Sequence, residues 1–238
     1  MEELNLELIR TLAYDMYQWY KDYVIAEQER NEAEGHLFNV FTLWHRLSGI
    51  GETLHSRLLH FLLHDDPMHG QKDKFLIKFL EQAGIEHPNE GKWDVTAEIG
   101  RVDVRLVRRN PRSIVIIENK SNRANDQSNQ LYRYWYENMY TPEKKTYEDN
   151  HYKIIYLSPS SDKKFDDQTC CKPEIAWFPK DAQDNYDQLP EKIPLNPEIW
   201  HFNDHIQKWL EQCIDILPET NQPLRNYLKQ YKEYCKKL

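Results

Sequence analysis

The sequence lacks the features by which several protein classes are recognised. It has only 7 glycines in 238 residues and no G-x-x-x-x-G-K-[ST] motif, so a loop that cradles nucleotide phosphates is not predicted. No apolar run approaches the roughly 18 residues of a membrane-spanning helix, and the acidic N-terminal stretch lacks the apolar segment of a signal peptide. We therefore expect no nucleotide cofactor and no membrane partner.

Cysteine is also scarce. The four cysteines are Cys170, Cys171, Cys213 and Cys235; the first two are adjacent, and no C-x-x-C pair occurs. This usage is typical of a reduced protein rather than of a disulfide framework. On this basis we expect a cytoplasmic protein.

The stretch GRVDVRLVRRNPRSIVIIENK, residues 100–120, predicts two β-strands joined by a tight turn. Apolar and polar residues alternate over 102–106, Asn110-Pro111 is a turn signal, and an apolar run follows at 114–117. That run ends in Glu118-Asn119-Lys120. A core strand rarely ends in three such polar groups without a use for them, so we take this hairpin as the centre of the chain's organisation.

The turn determines which residues of the two strands face each other. A hairpin centred near Asn110-Pro111 pairs residues whose numbers add up to about 221, which places Asp103 opposite Glu118. Such neighbours have Cβ atoms roughly 4.5–5.5 Å apart, and Lys120 shares the face of Glu118. Two carboxylates this close repel unless they share a proton or a cation. Because Mg²⁺ prefers oxygen ligands, the pair predicts a site for a divalent ion, Mg²⁺ or Mn²⁺.

Asp103, a gap of 14 residues and then Glu118-Asn119-Lys120 resemble the motif of the PD-(D/E)XK nuclease superfamily. The resemblance extends to Glu52-x-x-His55-Ser56 upstream and Gln130-Leu131-x-x-Tyr134 downstream. A bacterial branch of the superfamily has E-x-x-H-S, G-R-[IV]-D, I-E-N-K and Q-L-x-x-Y in this order. One departure is Val102, which stands where the superfamily's name has proline.

The resemblance implies an α/β fold with a restriction-endonuclease-like mixed β-sheet core flanked by helices, and with extra N- and C-terminal helices. We predict one domain over residues 1–238, with its core at about 50–160 and a helical N-terminal extension at 1–48. Residues 160–238 are predicted to form a surface excursion, a last strand and C-terminal helices.

Periodicity adds two helices to this scheme. Residues 3–34 predict a long helix whose aromatic stripe packs in a core or on a partner. Residues 123–140 predict another, on which Gln130 and Tyr134 share a face.

The resemblance also implies hydrolysis of phosphodiester bonds in nucleic acid, with DNA as the favoured substrate. The implied metal ligands are Asp103, Glu118, the backbone carbonyl of Asn119 and Glu52. The implied catalytic residues are Glu52, Asp103, Glu118, Lys120 and Gln130. The implied substrate contacts are Ser56, Arg101, Arg123 and Tyr134.

The charge distribution is compatible with a nucleic-acid partner, although the formal net charge of −8 argues against one. Residues 101–133 hold eight Lys and Arg against three acids. A local basic region beside a metal site is what phosphate binding requires. A solvated hairpin surface is the alternative interpretation of the same residues.

Other interpretations of the motifs stay open. The fold could serve as a non-catalytic module that binds nucleic acid or protein, or Lys120 could simply neutralise the two acids in a salt-bridged hairpin. Glu52 could favour a helix start for dipole reasons alone. His60 and His64 have zinc spacing but lack the glutamate of H-E-x-x-H. The oligomeric state, a homodimer included, is also open.

Overall fold

The computed structural model describes residues 2–35, 38–143 and 151–238. The chain divides into two compact units, Met1–Leu43 and Trp44–Leu238. Within the described residues, no helix combines the length and the apolarity needed to span a membrane.

The first unit is helical, as the periodicity of residues 3–34 predicts. Its helices are α1 (Glu2–Trp19), a π-helical segment (Tyr20–Ile25), α2 (Ala26–Ala33) and the beginning of α3 (Val40–Ser48). Within this unit the aromatic stripe is exposed: the exposed fractions of Trp19 and Tyr23 are 59% and 66%. Packing of this stripe on a partner stays a prediction.

A five-stranded mixed sheet organises the second unit and confirms the predicted fold class. The order in the sheet follows the chain: β1 pairs antiparallel with β2, β2 antiparallel with β3, and β3–β4 and β4–β5 are parallel. The strands are β1 (Trp93–Ile99), β2 (Val102–Arg108), β3 (Ser113–Asn119), β4 (Tyr152–Ser158) and β5 (Glu198–His201).

The hairpin register is the one that the turn predicts. Val104 pairs with Ile117 and Arg108 with Ser113, so paired numbers add up to 221. Asn110-Pro111 forms the turn with a cis peptide bond. Continued by one residue, this register brings Asp103 opposite Glu118.

Helices cover both faces of the sheet. The remaining ones are α4 (Glu52–Leu63), α5 (Lys74–Gln82), α6 (Gln130–Trp135), α7 (Thr141–Glu143), α8 (Lys180–Gln183), α9 (Gln207–Asp215) and α10 (Gln222–Cys235). A π-helical segment, Tyr136–Tyr140, joins α6 to α7, and another, Phe202–Ile206, precedes α9. Helix α4 packs on β1, β2 and β3. On the opposite face, α6 packs on Ile114 and Ile116.

The helix that follows the hairpin begins at Gln130 rather than at Arg123. Arg123 and Asn129 have positive φ angles, which a continuous α-helix does not allow. Between them, Asp126 accepts hydrogen bonds from the Tyr156 hydroxyl and from the backbone N–H of Asp166. Hydrogen bonds of its polar residues therefore stabilise 123–129 as a loop, although the spacing of these residues is typical of a helix.

The segment predicted as a surface excursion also supplies core residues. Phe178, Leu189, Ile193 and Leu195 are buried in the cluster that α6 forms on the sheet. The rings of Tyr132 and Trp135 on α6 are buried in the same cluster, where this segment packs on them.

Candidate active site

Two carboxylates meet where β2 and β3 lie side by side. Asp103 comes from β2 and Glu118 from β3, both on the face of the sheet that α6 covers. The Oδ2 atom of Asp103 accepts a hydrogen bond of 2.6 Å from the backbone N–H of Asn119. The Glu118 side chain is only 3% exposed. The predicted convergence of the two acids is thus present.

Four side chains, Glu118 among them, form a closed ring of polar contacts. The Lys120 ammonium lies 2.8 Å from Oε1 of Glu118 and donates to Oε1 of Gln130 at 3.3 Å. The Gln130 Nε2 donates to the Tyr134 hydroxyl at 2.8 Å. That hydroxyl lies 2.9 Å from Oε2 of Glu118 and 2.6 Å from the carbonyl of Arg101. Because a phenol has one proton, it serves one of these two acceptors at a time.

Burial shapes the protonation of this group. Burial, with the nearby charge of Glu118, raises the pKa of Asp103 to about 7. Burial also raises the pKa of Glu118. Burial alone would lower the pKa of Lys120, but the carboxylate of Glu118 brings that pKa above its usual value. Near neutral pH the site therefore contains a charged lysine and two acids that disfavour being ionised together.

Glu52 lies at the start of α4, beside the pair but bonded elsewhere. Its Oε1 accepts from the backbone N–H groups of Asn122 at 3.2 Å and Ala124 at 3.4 Å. Its charge still contributes to raising the pKa of Asp103. Across the described ranges, no three His, Cys, Asp or Glu side chains gather as a ready metal site. The structure thus brings two acids together and places the third within range of their charge.

The side chain of Asn119 points to the opposite face and joins β3 to α4. Its Nδ2 donates to the carbonyl of Glu52 at 2.8 Å and to Oγ of Ser56 at 3.0 Å. Ser56 is completely buried, and its hydroxyl donates to the carbonyl of Glu52. This placement leaves Ser56 no surface for the predicted substrate contact, because β3 and α4 enclose it.

His55 of the same motif lies in an aromatic cluster. Its Nδ1 lies 2.9 Å from the Tyr231 hydroxyl of α10, and its ring contacts Phe202. Burial lowers the pKa of His55 to about 4, so the ring is neutral near pH 7. His60, which has zinc spacing with His64, instead has Nε2 3.2 Å from the carbonyl of Val95.

The sequence as a whole fits one known family. A model of the PD-(D/E)XK nuclease superfamily matches residues 38–236. The chain belongs to the PD-(D/E)XK nuclease superfamily. No curated protein and no solved structure matches it significantly. The predicted membership of the superfamily is confirmed.

Members of the PD-(D/E)XK superfamily typically use divalent metal ions. The donor set in this member fits such an ion, since two carboxylate side chains and the backbone carbonyl of Asn119 belong to adjacent strand ends. Lys120 supplies one positive charge beside two acids whose pKa values are raised, buried Glu118 and half-buried Asp103. A divalent cation would complete that balance.

The two predicted substrate arginines occupy different surroundings in this PD-(D/E)XK protein. Arg101 lines a cavity of about 590 Å³ together with Gln130 and Tyr134. Arg123 instead forms an ion pair with Asp162, with Nη1 2.7 Å from Oδ2. The structure therefore places Arg101 in a cavity with two residues of the ring, Gln130 and Tyr134, and leaves Arg123 engaged by a surface carboxylate.

Two charged residues of that cavity were not predicted as site residues from the sequence. Arg133 and Glu137 line it from α6 and the π-helical segment that follows. Arg133 directly precedes Tyr134 of the Q-L-x-x-Y motif, which is a weak signal, and Glu137 has none. Only the packing of this helical segment against β2 brings them to the site.

Proposed function

We propose that this protein is a divalent-metal-dependent nuclease that hydrolyses phosphodiester bonds in nucleic acid, with DNA as the favoured substrate. The observation that supports it is the ring around Glu118, in which Lys120, Gln130 and Tyr134 surround a buried acid beside Asp103. A salt bridge alone would not need a second acid, half-buried Asp103, whose pKa is raised.

Asp103, Glu118 and the backbone carbonyl of Asn119 would hold Mg²⁺ or Mn²⁺, and Glu52 would interact with it through water. When bound, the ion lowers the pKa of a bound water and neutralises charge on the phosphate. The buried setting makes these charges effective, because water does not screen them.

The protein's own groups orient the reaction. The Lys120 ammonium, held by Glu118 and Gln130, would orient the attacking water and stabilise charge that develops on the phosphate. Gln130 fixes Tyr134 as well as Lys120, so it acts as a positioning residue. Burial and the charge of Glu118 raise the pKa of Tyr134, which therefore remains a hydrogen-bond donor.

A cleavage panel tests the proposal. Single- and double-stranded DNA and RNA are incubated with the protein in Mg²⁺, Mn²⁺ or EDTA. We expect metal-dependent cleavage, and a loss of about 10²–10³ in kcat for Lys120→Met, which removes a preorganised donor. Lys153→Met is the matched control, because Lys153 also pairs with a glutamate, Glu198, on a neighbouring strand.

The alternatives give different outcomes. Metal-independent binding without cleavage of any substrate would indicate a non-catalytic nucleic-acid-binding module. Equal loss of activity in Lys120→Met and Lys153→Met would indicate a structural role for Lys120. Light scattering on the same samples measures whether the active species is a monomer or a homodimer.

A further inference from the structure

The structure separates the eight basic residues of 101–133 into two groups. Three of them are engaged within the protein: Arg108 is buried and donates to the carbonyls of the 86–90 loop, Lys120 pairs with Glu118, and Arg123 pairs with Asp162. The other five all line two cavities, and they are Arg101, Arg105, Arg109, Arg112 and Arg133.

The larger cavity, of about 810 Å³, lies toward the hairpin turn and away from the acid pair. Lys92, Arg105, Arg109 and Arg112 line it, against the acids Asp94 and Glu137. No ion pair between residues that the structure describes involves Lys92, Arg105 or Arg109. Positive charge in this cavity is therefore available to an anion from outside.

Arg105 is held in place by a residue of the helical segment that lines the cavity. Its Nη1 donates to Oδ1 of Asn138 at 3.0 Å, which fixes the guanidinium over the cavity. Its buried Nε has no hydrogen-bond partner within the described part of the chain. An anion in the cavity would meet the positive charge of this guanidinium, which Asn138 holds in place.

The large cavity and the cavity lined by Arg101, Gln130 and Tyr134 are neighbours. Glu137 lines both. Asp103 and Arg105 share one face of β2, and Arg109 directly follows that strand. At about 3.3 Å per residue, Arg105 and Arg109 lie about 7 and 20 Å along the chain from Asp103. Each strand of a duplex carries one phosphate about every 3.4 Å of helix axis, so this span covers several nucleotides.

We propose that the large cavity is a second phosphate-binding site, which holds a backbone phosphate several nucleotides from the bond that is cleaved. The inference rests on the proposed function, since it takes nucleic acid to be the substrate. Recognition here is by charge and is independent of base sequence. Glu137, between the two cavities, repels the backbone and limits the affinity of both.

Binding in EDTA tests the site apart from catalysis. Anisotropy of a labelled DNA duplex is measured over a range of salt concentrations with the parent and with Lys92→Gln/Arg109→Gln, two exposed residues. We expect weaker binding and a plot of log K against log salt whose slope falls by about two. The charge-matched control is Lys180→Gln/Lys229→Gln, two exposed lysines outside both cavities.

Glu137→Gln is the variant with the opposite expectation. It removes one negative charge between the cavities, so DNA should bind more tightly to this variant than to the parent at the same salt concentration. Inorganic phosphate at equal ionic strength is a further arm. If inorganic phosphate displaces the DNA only at concentrations far above the concentration of the duplex, the site favours the polymer over the free anion.

Three results would overturn the inference. The first is that Lys92→Gln/Arg109→Gln and the lysine control show the same salt slope while the parent binds and cleaves DNA. This result would refute the second site and leave the proposed function intact. Another is tight binding of inorganic phosphate with unchanged DNA affinity, which would assign the cavity to a free anion. A parent that neither binds nor cleaves any nucleic acid would refute both proposals.

Discussion

Asp103 and Glu118 face each other across the hairpin, but their surroundings differ. Glu118 has a cation, Lys120, at 2.8 Å and a phenol at 2.9 Å. Asp103 has a backbone N–H and no cation of its own at that range among the described ion pairs. Isosteric amide substitutions at the two positions should therefore change stability in opposite directions when no metal is present.

Asp103→Asn should raise the free energy of unfolding in EDTA, on the order of 1 kcal/mol, because it removes one of two repelling acids that are largely shielded from water. Glu118→Gln should lower it by about 3 kcal/mol, because it leaves the Lys120 ammonium buried without a charge partner. Urea unfolding of both variants at pH 8 measures this. Destabilisation of similar size in both would contradict the asymmetry.

Ser56→Ala should lower the free energy of unfolding by about 1–3 kcal/mol, because the buried amide of Asn119 loses an acceptor. Ser48→Ala is the control. Ser48 makes the same hydroxyl-to-carbonyl bond four residues back, to Trp44, but it is exposed. The control should change stability by less than about 0.5 kcal/mol. Equal effects in thermal melts would show that the link between β3 and α4 contributes nothing.

At the scale of elements, the hairpin turn depends on a close approach of two loops. Arg108 is fully buried, donates to the carbonyls of Glu86 and Glu90, and lies over the ring of Trp93. Gly91 has φ +71°, and a Cβ atom there would overlap the carbonyl oxygen of Asn110. The chain before β1 is thereby fixed against the β2–β3 turn.

Gly91→Ala should destabilise the protein by more than Gly84→Ala. Both glycines have positive φ, which costs an alanine about 1–2 kcal/mol, but only Gly91 also has backbone in the way. We expect a clearly lower midpoint in urea for Gly91→Ala, with Gly84→Ala between it and the parent. The same midpoint for both variants would mean that the two loops separate without cost.

Helices α4 and α10 meet at His55, which gives their packing a pH dependence. The pKa of His55 is lowered to about 4 on folding, chiefly by burial and then by the charge of His45. The unfolded chain therefore takes up a proton near pH 6.5 that the folded chain refuses until about pH 4. The stability that comes from burying neutral His55 is fully present above pH 6.5 and is lost as the pH falls from 6.5 to about 4.

The difference in unfolding free energy between the parent and His55→Leu isolates this effect, since leucine does not titrate. We expect the parent's advantage to shrink by about 3 kcal/mol between pH 7 and pH 4. Parallel urea titrations across this range provide the measurement. A difference that does not vary with pH would mean that His55 becomes charged within the folded protein.

At the scale of the whole molecule, metal binding and folding are coupled through the acid pair. An ion that binds only the folded chain stabilises it, by about 2.7 kcal/mol at 100 times its Kd. Mg²⁺ or Mn²⁺ should therefore raise the melting temperature of the parent above its value in EDTA. Asp103→Asn, although more stable in EDTA, should gain little from the ion. An equal gain in both proteins would place the ion elsewhere.

The hairpin, its register and the family follow from the amino-acid sequence alone. Strand alternation and a turn at Asn110-Pro111 are local signals, and pairing across a turn follows from them, so the opposition of Asp103 and Glu118 could be predicted. The E-x-x-H-S and Q-L-x-x-Y motifs could be placed on their helices for the same reason.

The contacts that the polar residues of these elements make depend on tertiary packing and could not be predicted. The ring through Gln130 and Tyr134, the burial of Ser56 and the division of the arginines between interior and cavities depend on contacts far apart in the chain. The loop at 123–129 shows why, because its spacing favours a helix, yet bonds to β4 and to residue 166 hold it open. Periodicity reports which face a residue occupies, whereas long-range packing selects the partner that it meets there.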